Sequence, residues 1–322
     1  MKIKELFKTH KQRFKHRLED VLKFMYKVEI EKKQPVTRSV ISQNLSFTMK
    51  RIEPVLGELL RQRLIHQTDD ETFTLTENGK QKALRIIRKH RMYEKYLAEH
   101  TGYPPSDWHR KAEKMEHKLS GDECQELNKM LGNPLVDPHG APIPSETGEM
   151  KKTSGCSLDV LPMYTVGKVI NIEDEPEIFY NIIHRHNIHP GTLVRVVNRT
   201  NESITLECHN EEIILRYEVA RNITVAEDFS VEYESGQLGN IYRLTSLKEG
   251  ESAEIVGISE AYRGAGRRRL LDLGFVNGSS VSIDLVSPMK NPVAYMVRGT
   301  AIALREDQAK YILIHKITKD NE

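Results

Sequence analysis

The second half of this chain repeats itself. The segment HRHNIHPGTLVRVVN at 184–198 is paralleled by RLLDLGFVNGSSVSIDL at 269–285, and EIILRYEVARNITV at 212–225 by TAIALREDQAKYILI at 300–314. Each copy reads as a short helix, a Pro-Gly or Asn-Gly turn, strands, and a closing I-x-L-R turn into a last strand. A duplicated unit of this length with strand alternation and tight turns predicts two small β-barrels in tandem. They are expected over 158–228 and 241–317, with ESGQLGN near 234–240 inside a linker at 229–240.

The first half follows a different period. Leu18, Leu22, Met25 and Val28 fall at helical spacing within 15–32, and Pro35 ends the pattern. Residues 36–44 and 50–64 read as two further helices. The turn LSFTM lies between them, with Ser46 or Thr48 as the cap. LIHQTDDETFTLT then alternates around an acidic turn, as a β-hairpin does. Three helices followed by a hairpin is the winged helix-turn-helix plan, expected over 1–75. A long helix from Thr76 to about His100 and helices over 106–119 and 121–131 make a helical domain at 76–144. The Pro-, Gly- and Ser-rich end of the following stretch, 145–157, reads as a linker. The fold class is therefore multi-domain α+β.

Bulk properties narrow the function. A hydrophobic content of 38% and a mean hydropathy of −0.53 describe a soluble chain with no membrane-spanning run. The basic N-terminus lacks the apolar core of a secretory signal. Three scattered cysteines point to reduced thiols and a cytoplasmic location. The net charge of +2 conceals an asymmetry: residues 1–91 hold 22 Lys/Arg against 11 Asp/Glu, and the rest is acidic. A basic module on an acidic protein suggests a polyanionic partner.

The chemistry concentrates at 90–117. On a helix over 106–119, Trp108, Ala112, Met115 and Leu119 form the core stripe, and His109, Glu113, Glu116 and His117 lie together on its flank. On the preceding helix, His90 sits in the apolar stripe with Glu94 one turn later. Carboxylates with single imidazoles suit Mn²⁺ or Fe²⁺, whereas thiolates would favour zinc. The competing reading is a solvated, charge-rich face. H-E-x-x-H, G-x-S-x-G and Walker motifs are absent from the sequence, so an enzyme is not expected.

The runs RKHRMYEKYLAEHTGY, WHRKAEKMEHKLS and LGNPLVDPHGAPIP resemble the DtxR/MntR family of metal-dependent transcriptional repressors over about residues 15–144. The last segment, from LTSLKEGESAEIVGI to LREDQAKYILI, resembles a FeoA domain, an SH3-like barrel. The middle barrel stands where longer family members carry an SH3-like third domain.

The resemblance implies two metal sites. One comprises Asp20, Glu113, Glu116 and His117, with oxygen ligands where iron-type members hold sulfur, which favours Mn²⁺ with Fe²⁺ as the alternative. The ancillary site comprises His90, Glu94 and His109, completed by Glu173 or Asp174, with Asp137 and His139 in a D-P-H-G turn as a variant. It also implies a homodimer that reads double-stranded operator DNA, with Arg38, Lys50, Arg51 and Arg61 as groove or phosphate contacts.

Three features depart from the family. Lys23 replaces a second glutamate, Glu53 and Pro54 stand in the reading helix, and a basic tail at 1–15 precedes the usual start. The expected function is a Mn²⁺- or Fe²⁺-dependent repressor of metal-uptake genes. The alternative is a FeoA-like adaptor for ferrous iron transport without sequence-specific DNA binding, docking a protein partner through its last barrel.

Overall fold

The computed structural model describes residues 2–69, 71–151, 154–208, 211–227, 241–259 and 262–317, with side chains from residue 11 onward. The fold is mixed α and β, as the sequence indicates. Two compact units divide it: residues 1–96, 107–137 and 142–152 form the first, and 97–106, 138–141 and 153–322 the second.

The first unit opens with α1 (Lys2–Tyr26), which widens into a π-type stretch at Lys27–Glu31. Then come β1 (Val36–Thr37), α2 (Arg38–Asn44), α3 (Met49–Arg61), β2 (Ile65–Gln67) and β3 (Thr72–Leu75). The three strands pair antiparallel in the order β1-β3-β2, with Val36 opposite Phe73 and Ile65 opposite Leu75. Leu18, Leu22, Met25 and Val28 are all buried, and they pack with Ile52, Val55, Leu56, Leu59 and Phe73 into one core. This is a winged helix whose wing is the β2–β3 hairpin.

Two local expectations are corrected. The helix expected from residue 15 begins earlier: residues 2–15 of the basic segment are already the opening turns of α1. No Gly or Pro interrupts the sequence there, so nothing stops the helix. The helix expected over 50–64 is α3, which starts at Met49 with Thr48 at the N-cap, so Pro54 stands inside it. Its ring is exposed, and the missing N–H costs about 3 kcal/mol. Burial of Ile52, Val55, Leu56 and Leu59 along the other face offsets this.

Next comes α4 (Glu77–His100), capped by Thr76, whose Oγ1 accepts from Gly79 N at 3.0 Å. It is followed by α5 (Pro105–Glu116) and α6 (Gly121–Met130), the latter opened by a Ser120/Glu123 capping box. The proline-rich stretch after α6 closes on itself through a bridge between Val136 and Pro142. Two arginines of α4 tie it down: Arg88 donates to Pro144 O and Arg91 to Pro142 O, each at 2.6 Å.

The second unit contains the repeat. Its first barrel comprises β4 (Cys156–Ser157), β5 (Val166–Ile172), α7 (Glu177–Arg185), β6 (Leu193–Arg199), β7 (Ser203–Cys208), β8 (Glu211–Arg216), α8 (Tyr217–Ala220) and β9 (Ile223–Glu227). The other comprises β10 (Ile241–Arg243), β11 (Ser252–Ile258), α9 (Gly264–Asp272), β12 (Ser280–Val286), β13 (Val293–Val297), β14 (Thr300–Leu304), α10 (Glu306–Ala309) and β15 (Ile312–Lys316).

The sheets run β4-β9-β5-β6-β7-β8 and β10-β15-β11-β12-β13-β14, the same permutation twice. Each barrel closes over its own apolar core, Val169, Val194 and Leu206 in one, Ile255, Val281 and Phe275 in the other. Cys156 and Ser157, read from sequence as linker, pair with β9 at the sheet edge, Cys156 opposite Val225. Two residues are too short to show a strand period. GAGRRR at 264–269 opens α9, and Arg267 donates to the carbonyls of Ile258 and Ser259. The linker expected at 229–240 lies outside the described residues.

Gly79 gives a test of the packing between wing and α4. A Cβ there would lie 1.9 Å from the Leu64 carbonyl oxygen. Helix propensity alone predicts that Gly79→Ala stabilises by about 1 kcal/mol. The clash predicts net destabilisation of about 1–3 kcal/mol instead. Urea unfolding checks the sign, and a more stable variant contradicts the packing described.

Candidate metal centre

The centre is assembled from three helices of the first unit. On α1, His16, Glu19, Asp20 and Lys23 follow one another at spacings of three, one and three residues and share a face. On α4, Glu94 follows His90 by one turn. On α5, His109, Glu113 and Glu116 follow the same rule, and His117 comes immediately after the helix.

Packing brings these faces together as two adjoining clusters. In one, His117 Nε2 lies 3.0 Å from Asp20 Oδ1 and 3.7 Å from Glu116 Oε1, and its Nδ1 lies 2.7 Å from Glu19 Oε2. His16 stacks on the His117 ring at 4.3 Å. In the other, His90 Nε2 lies 3.1 Å from Glu94 Oε1, and His109 Nδ1 lies 3.5 Å from the same oxygen. The rings of His90 and His109 meet edge-on at 4.9 Å. Glu116 joins the clusters, because its Oε2 lies 2.5 Å from His90 Nδ1 and 2.9 Å from Lys23 Nζ.

These groups are not a solvated face. Glu94 is 0% exposed, Glu116 2% and His90 6%. Burying carboxylates at this depth is costly unless cations accompany them. Asp20, Glu116 and His117 each offer a ligand atom within 4.8 Å of the others, as do His90, Glu94 and His109. Two oxygens and an imidazole nitrogen in the first set, and one carboxylate with two imidazoles in the second, fit Mn²⁺ or Fe²⁺ in donor type.

Ionisation follows the same geometry. Burial disfavours a charged His117, but the Asp20 and Glu19 carboxylates outweigh it and raise its pKa to about 9. Burial and Lys23 oppose charge on His90, yet Glu94 and Glu116 raise its pKa. Burial pushes Glu116 up, while Lys23 and His90 more than compensate and hold it low. The hydrogen bond to His109 lowers Glu113 against its partial burial.

The remaining candidates have contacts of their own. Glu113 turns toward His109, at 3.5 Å, rather than toward Asp20 and His117, and its side chain is half exposed. Asp137 is buried facing Arg91, at 3.8 Å. The His139 ring packs edge-on against Tyr180, and its carbonyl accepts from Ile172 N. Glu173 follows β5, its amide donating to Asn222 O, and Asp174 is next in that loop. The sequence reading missed His16 and Glu19, although their helical spacing with Asp20 and Lys23 carried the signal.

In the winged helix, Lys50 and Arg51 are exposed in the first turn of α3. Arg38 pairs with Glu53 at 3.1 Å and lies over the Phe73 ring. Glu53 is therefore matched by a cation rather than left to repel phosphate. Arg61 pairs with Glu58.

These features define a class: a winged-helix protein with a buried carboxylate–imidazole centre between its first helix and a helical domain, followed by paired barrels. The family described as iron dependent repressor, metal binding and dimerisation domain matches residues 76–145, and the FeoA domain matches twice, at 156–227 and 242–316. The helical domain is thus similar to the metal-binding and dimerisation domain of iron-dependent repressors, and each barrel, the middle one included, to a FeoA domain.

The iron-dependent repressor IdeR of Mycobacterium tuberculosis is 32% identical over 123 residues, 38% of this chain and 53% of that protein. This chain thus spans about half the length of that relative. The diphtheria toxin repressor of Corynebacterium jeikeium is 24% identical over 228 residues, 63% of this chain and 94% of that one. A solved manganese-dependent transcriptional repressor in complex with manganese superposes with a TM-score of 0.60 at 25% identity, covering 65% of this chain and 98% of that one.

The raised His117 pKa predicts a pH effect on the metal-free protein. An imidazole in the unfolded chain titrates near its model value of 6.5, and His117 in the fold near 9. The attraction is fully present below 6.5 and is lost as pH rises through 9. Stability should fall by on the order of 1–3 kcal/mol over that window. Urea titrations in chelator should show a smaller fall for His117→Gln, and equal falls contradict the assignment.

Proposed function

We propose that this chain is a metal-responsive DNA-binding transcriptional regulator, a repressor of metal-uptake genes activated by Mn²⁺ or Fe²⁺. One observation carries the reading. Asp20 belongs to α1 of the winged helix, Glu116 and His117 belong to α5 and its end, and their ligand atoms converge. Asp20, Glu116 and His117 would hold a divalent cation there, which would tie the winged helix to the helical domain. Asp20, Glu116 and His117 are the proposed ligands; Glu19 stands beside them against His117, and Glu113 faces His109 instead. His90, Glu94 and His109 are proposed as the ancillary set.

The residues then act by restraint. With Asp20 drawn to Glu116 and His117, α1 is fixed, and α1 packs in one core with α3. A homodimer would present two such α3 helices to successive major grooves. Lys50 and Arg51, exposed at the start of α3, are the proposed DNA contacts of first rank. Arg38 and Arg61 already hold carboxylates and would contribute after exchanging partners. The second reading, an adaptor for ferrous iron transport, draws on the two FeoA matches. It predicts no sequence-specific DNA binding at all.

Gel-shift assays on the chain's own upstream region test the proposal. Mn²⁺ or anaerobic Fe²⁺ should confer specific binding, and an Asp20→Ala/Glu116→Ala double variant should lose it. Metal-indifferent, non-specific binding by the wild type would sink the repressor reading and leave the adaptor. In the same assay, Lys50→Ala and Arg51→Ala should each lower affinity across sequences and reduce the salt slope by about 1. His117 must give up its proton to offer a lone pair. Apparent metal affinity should therefore rise with pH by up to about tenfold per unit toward pH 9, measurable by competition with a chelating dye.

A further inference from the structure

Lys23 sits where a cation belongs. Its ammonium lies 3.0 Å and 2.9 Å from the two oxygens of Glu116 and 3.4 Å from His90 Nδ1. The Glu116 side chain is 1% exposed and that of Lys23 24%. The pair therefore joins α1 to α5 across a largely desolvated gap. Glu94, Glu19 and Asp20 stand in the same two clusters, so carboxylates outnumber fixed positive charge around Lys23.

We propose that Lys23 is a resident cation of this centre, a positioning residue that holds α1 against α5 in the absence of metal. The inference deepens the repressor reading and rests on it for its regulatory consequence. Lys23 and Asp20 are one helical turn apart on α1, and Glu116 and His117 are adjacent on the other side. The two links, Lys23–Glu116 and Asp20–His117, are parallel ties across one interface. A protein in which Lys23 already holds Glu116 is partly assembled before any ion arrives. Metal then shifts a smaller fraction of the population, and metal-free DNA binding is not negligible. Removing Lys23 makes the docked state depend on metal and so enlarges the metal response.

The test uses the full-length protein in chelator, as wild type, Lys23→Met and Lys23→Arg. Amide hydrogen exchange read by mass spectrometry should be about tenfold faster or more in α1 and the end of α5 for Lys23→Met, with the barrels unchanged. Lys23→Arg, which keeps the cation, should restore most of the protection. Unchanged exchange in Lys23→Met overturns the proposal. Faster exchange that arginine does not rescue also overturns it, because it assigns Lys23 to packing. These readouts need neither metal nor DNA, so they stand even if the repressor reading fails. The regulatory consequence is read separately: metal-free affinity for the upstream DNA should drop about tenfold in Lys23→Met. Equal metal-free affinities would remove that consequence.

Discussion

The Glu116 carboxylate is the constraint on which the first unit turns. An ionised carboxylate at 2% exposure must be surrounded by positive charge or donors. This one draws Lys23 from α1 and His90 from α4, and it flanks the His117 that faces Asp20. Three helices that share no local sequence are therefore oriented by one buried charge. Apolar packing alone would let α1 slide against α5 by a fraction of a turn at modest cost. Charge contacts near 3 Å do not permit that.

The barrels solve a different problem. Each closes a six-stranded sheet over its own core with the same strand permutation, so each carries the stabilisation it needs without help from the metal centre. Their repeated form explains why one family description fits both at different residue ranges.

Much of this was legible in the chain. The 3.6-residue stripe of Leu18, Leu22, Met25 and Val28 named the buried face of α1, and the paired I-x-L-R turns named the duplicated barrels. Spacing on α4 and α5 marked His90, Glu94, His109, Glu116 and His117 as neighbours. What it could not give was the partner across each interface. Glu113 and Glu116 stand three residues apart on the same helix, yet one faces His109 and the other is buried against Lys23. That division depends on the approach of α1, a tertiary fact. The pairing of Glu53 with Arg38, the two-residue strand at Cys156, and the packing of His139 against Tyr180 escaped for the same reason. Each is decided by a segment distant in sequence.

The central claim is that metal and DNA stabilise one arrangement of α1 on α5. Thermodynamic linkage makes it measurable from the metal side. Mn²⁺ affinity of the full-length protein should be determined by titration with and without saturating upstream DNA. The account predicts tighter Mn²⁺ binding in the presence of DNA, by the same factor by which Mn²⁺ tightens DNA binding, and no such gain in Asp20→Ala. Identical Mn²⁺ affinities with and without DNA would contradict it, because a centre that cannot sense DNA cannot control it.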